Sequence, residues 1–123
     1  MKPLPKISDA EWKVMKLLWE QSPQTANNIV ETLSEVTNWK PKTIKTLLNR
    51  LSQKQAIGFK RIGREYHYFP CIDQDQCVHA ESRSFLNRVF DGALKPMLAA
   101  LIENDDLSAH DIKELQTILN KKE

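Results

Sequence analysis

Glycine is scarce in this chain: three in 123 residues. A phosphate-cradling loop, a dinucleotide fingerprint and a nucleophile elbow all need glycines at fixed spacing. None can be assembled from Gly58, Gly63 and Gly92. Cysteine is scarcer still. Cys71 and Cys77 are too few for a disulfide scaffold and lack the spacing of a metal finger, so a reduced, cytoplasmic protein is expected. Long apolar runs are missing too. The longest, Met97 to Ile102, has six residues against the ~20 that span a bilayer. Asp9 and Glu11 stand where an export signal needs apolar residues, so neither export nor membrane insertion is expected. Ser, His and Asp occur without a pairing that makes a nucleophile set. The expectation is a protein with no enzymatic activity, no cofactor and no metal.

What the chain does have is unevenly spread charge. At 41% hydrophobic and 28% charged it is an ordinary globular composition with a net charge of +2. Residues 1–70 hold twelve Lys and Arg against six Asp and Glu, whereas residues 71–123 hold six against ten. A basic half followed by an acidic half points to a polyanion-binding module with a second element appended.

Periodicity supplies the architecture. Ser8-Asp9-Ala10-Glu11 is a capping box, and Ile7 with Trp12 a hydrophobic staple, opening a helix that runs to about Gln21. Thr25 is a good cap for a second helix ending near Val36. Pro41 suits the first position of a third helix, in which Ile44, Leu47, Leu48 and Leu51 form one apolar stripe. The period then shortens. Ile57, Phe59 and Ile62, a Gly63-Arg64 turn, and Tyr66, Tyr68 and Phe69 read as a β-hairpin. Three helices and a hairpin in that order predict a winged helix-turn-helix. The fold class is therefore mainly α with a small β-hairpin wing. Helical pattern returns over about 73–90, 93–103 and, behind a second capping box at Ser108, to the last residues. The expected division is a DNA-binding domain over 1–72 and a helical dimerisation domain over 73–123.

The stretch from Lys40 to Arg64 holds eight basic residues and no acidic one. With the apolar stripe of the third helix buried, its opposite face is centred on Lys42, Thr46, Asn49 and Gln53, flanked by Lys45, Thr43 and Arg50. Lys donates to guanine, Asn bonds adenine, and a Thr methyl meets a thymine methyl. Lys42, Lys45 and Thr46, in the first turns, are expected to read bases. Thr43 and Arg50 are expected to hold phosphates. Asn49 belongs to the same face, and Lys60, Arg61 and Arg64 give the wing its charge. Tyr66, Tyr68 and Phe69 are expected to pack against the helices rather than to stack on single strands. Trp12, Trp19 and Trp39 are expected in packing roles.

The acidic half holds too little for a core of its own. An intertwined homodimer would bury Phe85, Leu86, Val89, Phe90, Leu94, Met97, Leu98 and Leu101, with Leu115, Ile118 and Leu119 of the last helix. Such a dimer presents two winged helices to two half-sites of double-stranded DNA. Two alternatives stay open: a metal-responsive repressor using Cys71, Cys77 and His79, and a winged-helix adaptor that binds a protein partner.

These residues resemble a known family, the penicillinase and methicillin-resistance repressors (BlaI/MecI). The resemblance runs through Ile7-Ser8-Asp9-Ala10-Glu11-Trp12, Thr25-Ala26-Asn27-Asn28-Ile29 and Trp39-Lys40-Pro41-Lys42-Thr43-Ile44-Lys45-Thr46-Leu47. It continues in Ser84-Phe85-Leu86-Asn87-Arg88 and Asp106-Leu107-Ser108. It implies a homodimeric repressor of β-lactamase or related resistance genes that binds double-stranded palindromic operator DNA through its winged domain. It also implies relief by a membrane β-lactam sensor-protease that leads to cleavage in the dimerisation region. Ala100-Leu101 stands where well-studied members have their Asn-Phe cleavage bond, Gln55-Ala56 where Lys-Gly is common, and Lys40 where a small capping residue is frequent.

Overall fold

The computed structural model describes residues 4–122. The terminal residues of the two expected domains, 1–3 and 123, lie outside the described residues. In order the elements are α1 (Asp9–Glu20), β1 (Gln24–Thr25), α2 (Ala26–Val36), α3 (Pro41–Gln53), β2 (Ile57–Ile62), β3 (Glu65–Pro70), α4 (Gln74–Phe90), α5 (Leu94–Glu103) and α6 (Ala109–Lys121). The chain divides into two compact units, Met1–Cys77 and Val78–Glu123, and the division falls inside α4.

The first unit is a winged helix. The Ser8 hydroxyl accepts from the Glu11 amide at 3.2 Å, and the Glu11 carboxylate accepts from the Ser8 amide at 2.8 Å. This closes the capping box that starts α1. Thr25 caps α2 through the Asn28 amide. At the following turn the Thr37 hydroxyl donates to the Leu33 carbonyl and accepts from the Trp39 amide, which sets up the entry to α3. Pro41 takes the first turn of α3, and Lys40 at its N-cap makes no side-chain bond there. The far end of α3 closes as a Schellman turn. The Ala56 amide donates to the Leu51 carbonyl and the Gln55 amide to that of Ser52, with Gln55 in the left-handed region at φ 64°.

Val14, Met15 and Leu18 of α1, Ile29 and Leu33 of α2, and Ile44, Leu47, Leu48 and Leu51 of α3 form one core with Ile7, Ala56, Ile57 and Tyr68. Trp12, Trp19 and Trp39 pack at its margin, half-buried. The Trp19 indole donates to the Ile72 carbonyl at 3.0 Å, tying α1 to the chain leaving the wing.

The sheet has a strand that no periodicity announced. Gln24 and Thr25 pair antiparallel with Tyr68 and His67, giving the order β1-β3-β2. Gln24 is buried, and its amide donates to the Gln21 carbonyl at 2.6 Å, satisfying the end of α1. The hairpin turns at Gly63 with φ +65°, where a side chain is disfavoured. At Gly58 a Cβ would come within 2.8 Å of the Phe69 ring.

The wing aromatics separate. Tyr68 is buried as expected, but Tyr66 and Phe69 are exposed, as are Phe59 and Ile62. Ile62 and Tyr66 lie toward the turn end of the hairpin, whereas Phe69 sits at its inner end with its ring against Gly58. Phe59 and Tyr66 cover one another, ring centroids 4.7 Å apart and edge to face.

The second unit holds the remainder of α4, α5 and α6. A capping box of Ser108 and Asp111 opens α6, and Pro96 falls in the first turn of α5, where it costs no hydrogen bond. Among its described residues only Leu86 is buried.

Candidate nucleic-acid interface

The buried stripe of α3 leaves Lys42, Thr43, Lys45, Thr46, Asn49 and Arg50 exposed. Around this surface the fold builds a cleft of about 340 Å³. Its walls are Thr25 and Asn27 at the start of α2, Lys45 and Asn49 on α3, and Arg64 and Tyr66 on the wing. Two cations (Lys45, Arg64), two carboxamides (Asn27, Asn49), two phenols (Tyr66, Tyr68) and the Glu65 carboxylate therefore line one recess. Lys42 and Thr43 lie outside the cleft on the first turn of α3, and Arg50 lies on its last turn.

Thr46 has a defined role for each end of its side chain. Its hydroxyl donates to the Lys42 carbonyl at 3.0 Å, one helical turn back. The methyl group is then the end free to meet an apolar base substituent.

The three wing cations do not form one cluster. Lys60 pairs with His67 and Arg61 with Tyr66 in the hairpin register, so they point to opposite faces. Arg61 shares the face of Phe59, Tyr66 and Tyr68, and its Nε donates to the Gly63 carbonyl at 3.1 Å across the turn. Arg64 reaches the cleft.

Lys54 leaves the basic run altogether. Its ammonium pairs with the Glu11 carboxylate and donates to the Lys6 carbonyl at 2.8 Å. Sequence spacing of 43 residues gave no hint of that pairing. Asn27 was given no role from the sequence, and Tyr66, expected to pack against the helices, lines the cleft instead. The only signal for them was their position, at a helix start and beside the turn.

The cysteines offer no such convergence. Cys71 is exposed, and burial pushes the Cys77 thiol up, with Asp73 adding to the effect. Among the described residues no group of three or more His, Cys, Asp and Glu is placed to hold a metal ion. No helix of the described residues is long and apolar enough to cross a membrane.

Comparison with known proteins agrees with this geometry. Residues 7–121 match the penicillinase repressor family. The chain is 43% identical to the penicillinase repressor of Bacillus licheniformis over 98% of its own length and 94% of the relative's. It is 37% identical to the methicillin resistance regulatory protein MecI of Staphylococcus aureus over 94% of each chain. The solved monomeric form of Bacillus licheniformis BlaI, in complex with the blaP half-operator, is 44% identical. It covers 61% of this chain and 92% of that one, with a TM-score of 0.54. The chain belongs to the penicillinase repressor family.

Proposed function

We propose that this chain is a sequence-specific repressor without enzymatic activity that binds double-stranded palindromic operator DNA as a homodimer. Its targets are β-lactamase or related antibiotic-resistance genes. Residues 1–72 bind DNA and residues 73–123 dimerise. The observation that carries the reading is the acid-free, exposed face of α3 beside the wing cleft, in a family whose BlaI member was solved on a half-operator.

In this reading α3 enters the major groove. Lys42, Lys45 and Thr46 meet base edges, with Asn49 on the same face. Thr43 and Arg50 hold flanking phosphates and fix register. Arg64, with Lys60 and Arg61 on the two faces of the wing, grips the neighbouring backbone.

For relief we propose proteolysis in the C-terminal unit, set off by a membrane β-lactam sensor-protease. Ala100 and Leu101 are half-buried inside α5, and the Ala100 carbonyl accepts from the Asn104 amide and side chain. Cleavage there requires the last turn of α5 to open first.

The test is selection of duplexes from a randomised library by the wild-type chain, followed by base-by-base affinity measurements. Lys45→Ala and Thr46→Ala should each change preference at particular positions, each contact being worth about 1–3 kcal/mol. Arg64→Ala should weaken binding to every sequence and flatten the salt dependence by about one unit per lost phosphate contact. Unchanged preference in both α3 variants would remove the base-reading assignment.

A further inference from the structure

Among the described residues of the first unit one ion pair has a buried carboxylate, Glu11, whose partner Lys54 stays partly exposed, and it joins α1 to the end of α3. Glu11, on the first turn of α1, is 1% exposed. Its Oε1 accepts both the Ser8 amide and the Lys54 ammonium. Lys54 is the C-cap of α3, and its own amide bonds back to the Arg50 carbonyl. A single carboxylate oxygen therefore connects the cap of α1 to the end of α3. Through the Lys54 bond to the Lys6 carbonyl, it also holds the segment preceding α1.

We propose that the Glu11–Lys54 pair is a positioning device for α3: it fixes the helix against α1 at the register in which its exposed face reads bases. The inference rests on the DNA reading given above. Its physical basis is the difference between apolar and polar contacts. The core residues Leu47, Leu48 and Leu51 hold α3 to the core, but apolar contact is non-directional and tolerates small rotations and slides. A buried charge-assisted hydrogen bond has a narrow geometry, and misplacing it leaves a desolvated carboxylate short of a partner. The penalty is real here, because Glu11 Oε2 has no hydrogen-bond partner among the described residues and Oε1 carries the whole load. Lys54 contributes by holding one end of the helix, not by meeting DNA: its ammonium is already committed to Glu11 and Lys6.

The deciding variant is the double substitution E11Q/K54M in the full chain. Gln preserves the capping box at the third helical position, and Met preserves the apolar stem, so no buried charge is left unpaired. Binding is measured against a duplex selected by the wild-type chain and a scrambled duplex of the same composition, at several salt concentrations. Both chains are first shown by circular dichroism to be folded at the temperature used. The double variant should lose about tenfold in the ratio of the two affinities, equivalent to one well-placed base contact. It should keep wild-type affinity for the scrambled duplex and the wild-type salt slope. K54R, which keeps the cation, should restore the ratio to near wild type.

A double variant that discriminates like the wild type would overturn the proposal. So would equal losses on both duplexes, or loss of the fold, since either makes the pair a general structural tie. A salt slope reduced by about one unit would place Lys54 on a phosphate and overturn it too. If the wild-type chain itself bound both duplexes alike, the DNA reading and not the pair would be at fault.

Discussion

At the scale of single residues, the least expected assignment is a lysine withdrawn from a basic run. By composition Lys54 belongs with Lys42, Lys45 and Arg50. By geometry it belongs with Glu11. Burial acts to raise the Glu11 carboxyl, but hydrogen bonds from Lys54 and from Ser8 outweigh it and hold the carboxyl below its ordinary value of 4.5. A carboxyl depressed in the folded state stabilises the protein above its unfolded value, and that contribution fades as pH falls through the folded value. Wild type should therefore be more stable than Glu11→Gln near neutrality, and the gap should shrink as pH drops below 4.5. Urea unfolding of both chains from neutral to acid pH measures it. A gap that stays constant through the acid range would show that Glu11 gains nothing from its charge. Thr46 teaches a smaller lesson of the same kind. Sequence placed it on the reading face, but only the structure shows that its hydroxyl is occupied by the helix itself.

At the scale of elements, α3 begins without a side-chain cap and ends in a Schellman turn. Lys40 already has the extended N-cap backbone, φ −80° and ψ 156°, but has no side-chain acceptor to offer the first amides. Its positive charge also opposes the helix dipole. Lys40→Ser should therefore stabilise the domain by about 1 kcal/mol, which raises Tm by roughly 3–8 °C for a domain of this size. An unchanged melting curve would mean that the α3 amides are already satisfied. Helix starts were legible in the sequence because capping boxes and Pro41 are chemical signatures of local hydrogen bonding. The apolar stripes were legible because burial follows period. Three features were not. The two-residue strand at Gln24–Thr25 is shorter than any period, and it exists only because β3 lies beside it. The Schellman turn at Gln55 uses a residue other than glycine, so it carried no marker. The split between buried Tyr68 and exposed Tyr66 depends on which part of the hairpin meets the core, which is a tertiary relation rather than a pattern. The cleft follows the same rule: its α3 and wing cations were legible as charge, whereas Asn27 and Tyr66 join them only through folding.

At the scale of the whole molecule, the contrast between the two units is the informative quantity. The first unit encloses a core drawn from three helices and the sheet. The second offers apolar side chains to solvent: Val89 at 53% exposure, Leu94 at 50%, Ile118 at 56% and Leu119 at 60%. Soluble proteins rarely leave so many large apolar groups uncovered on so short a stretch, and uncovered faces of this kind mark association surfaces. On the proposed reading a second copy of the same chain is the partner, since it also doubles the α3 surface for a palindromic operator. Light scattering at micromolar concentration should therefore give twice the chain mass of 14.3 kDa. The paired substitution I118K/L119K should return the mass to 14.3 kDa, because two buried charges without partners would disfavour the interface. The same variant should bind a half-operator duplex as wild type does, since its winged helix is untouched. On the full palindrome it should lose the gain from linked sites, about 10²–10⁴ in affinity. Wild-type chains found at the single-chain mass would dismiss the dimer. Equal losses on half and full sites would instead show that α6 supports the winged helix itself.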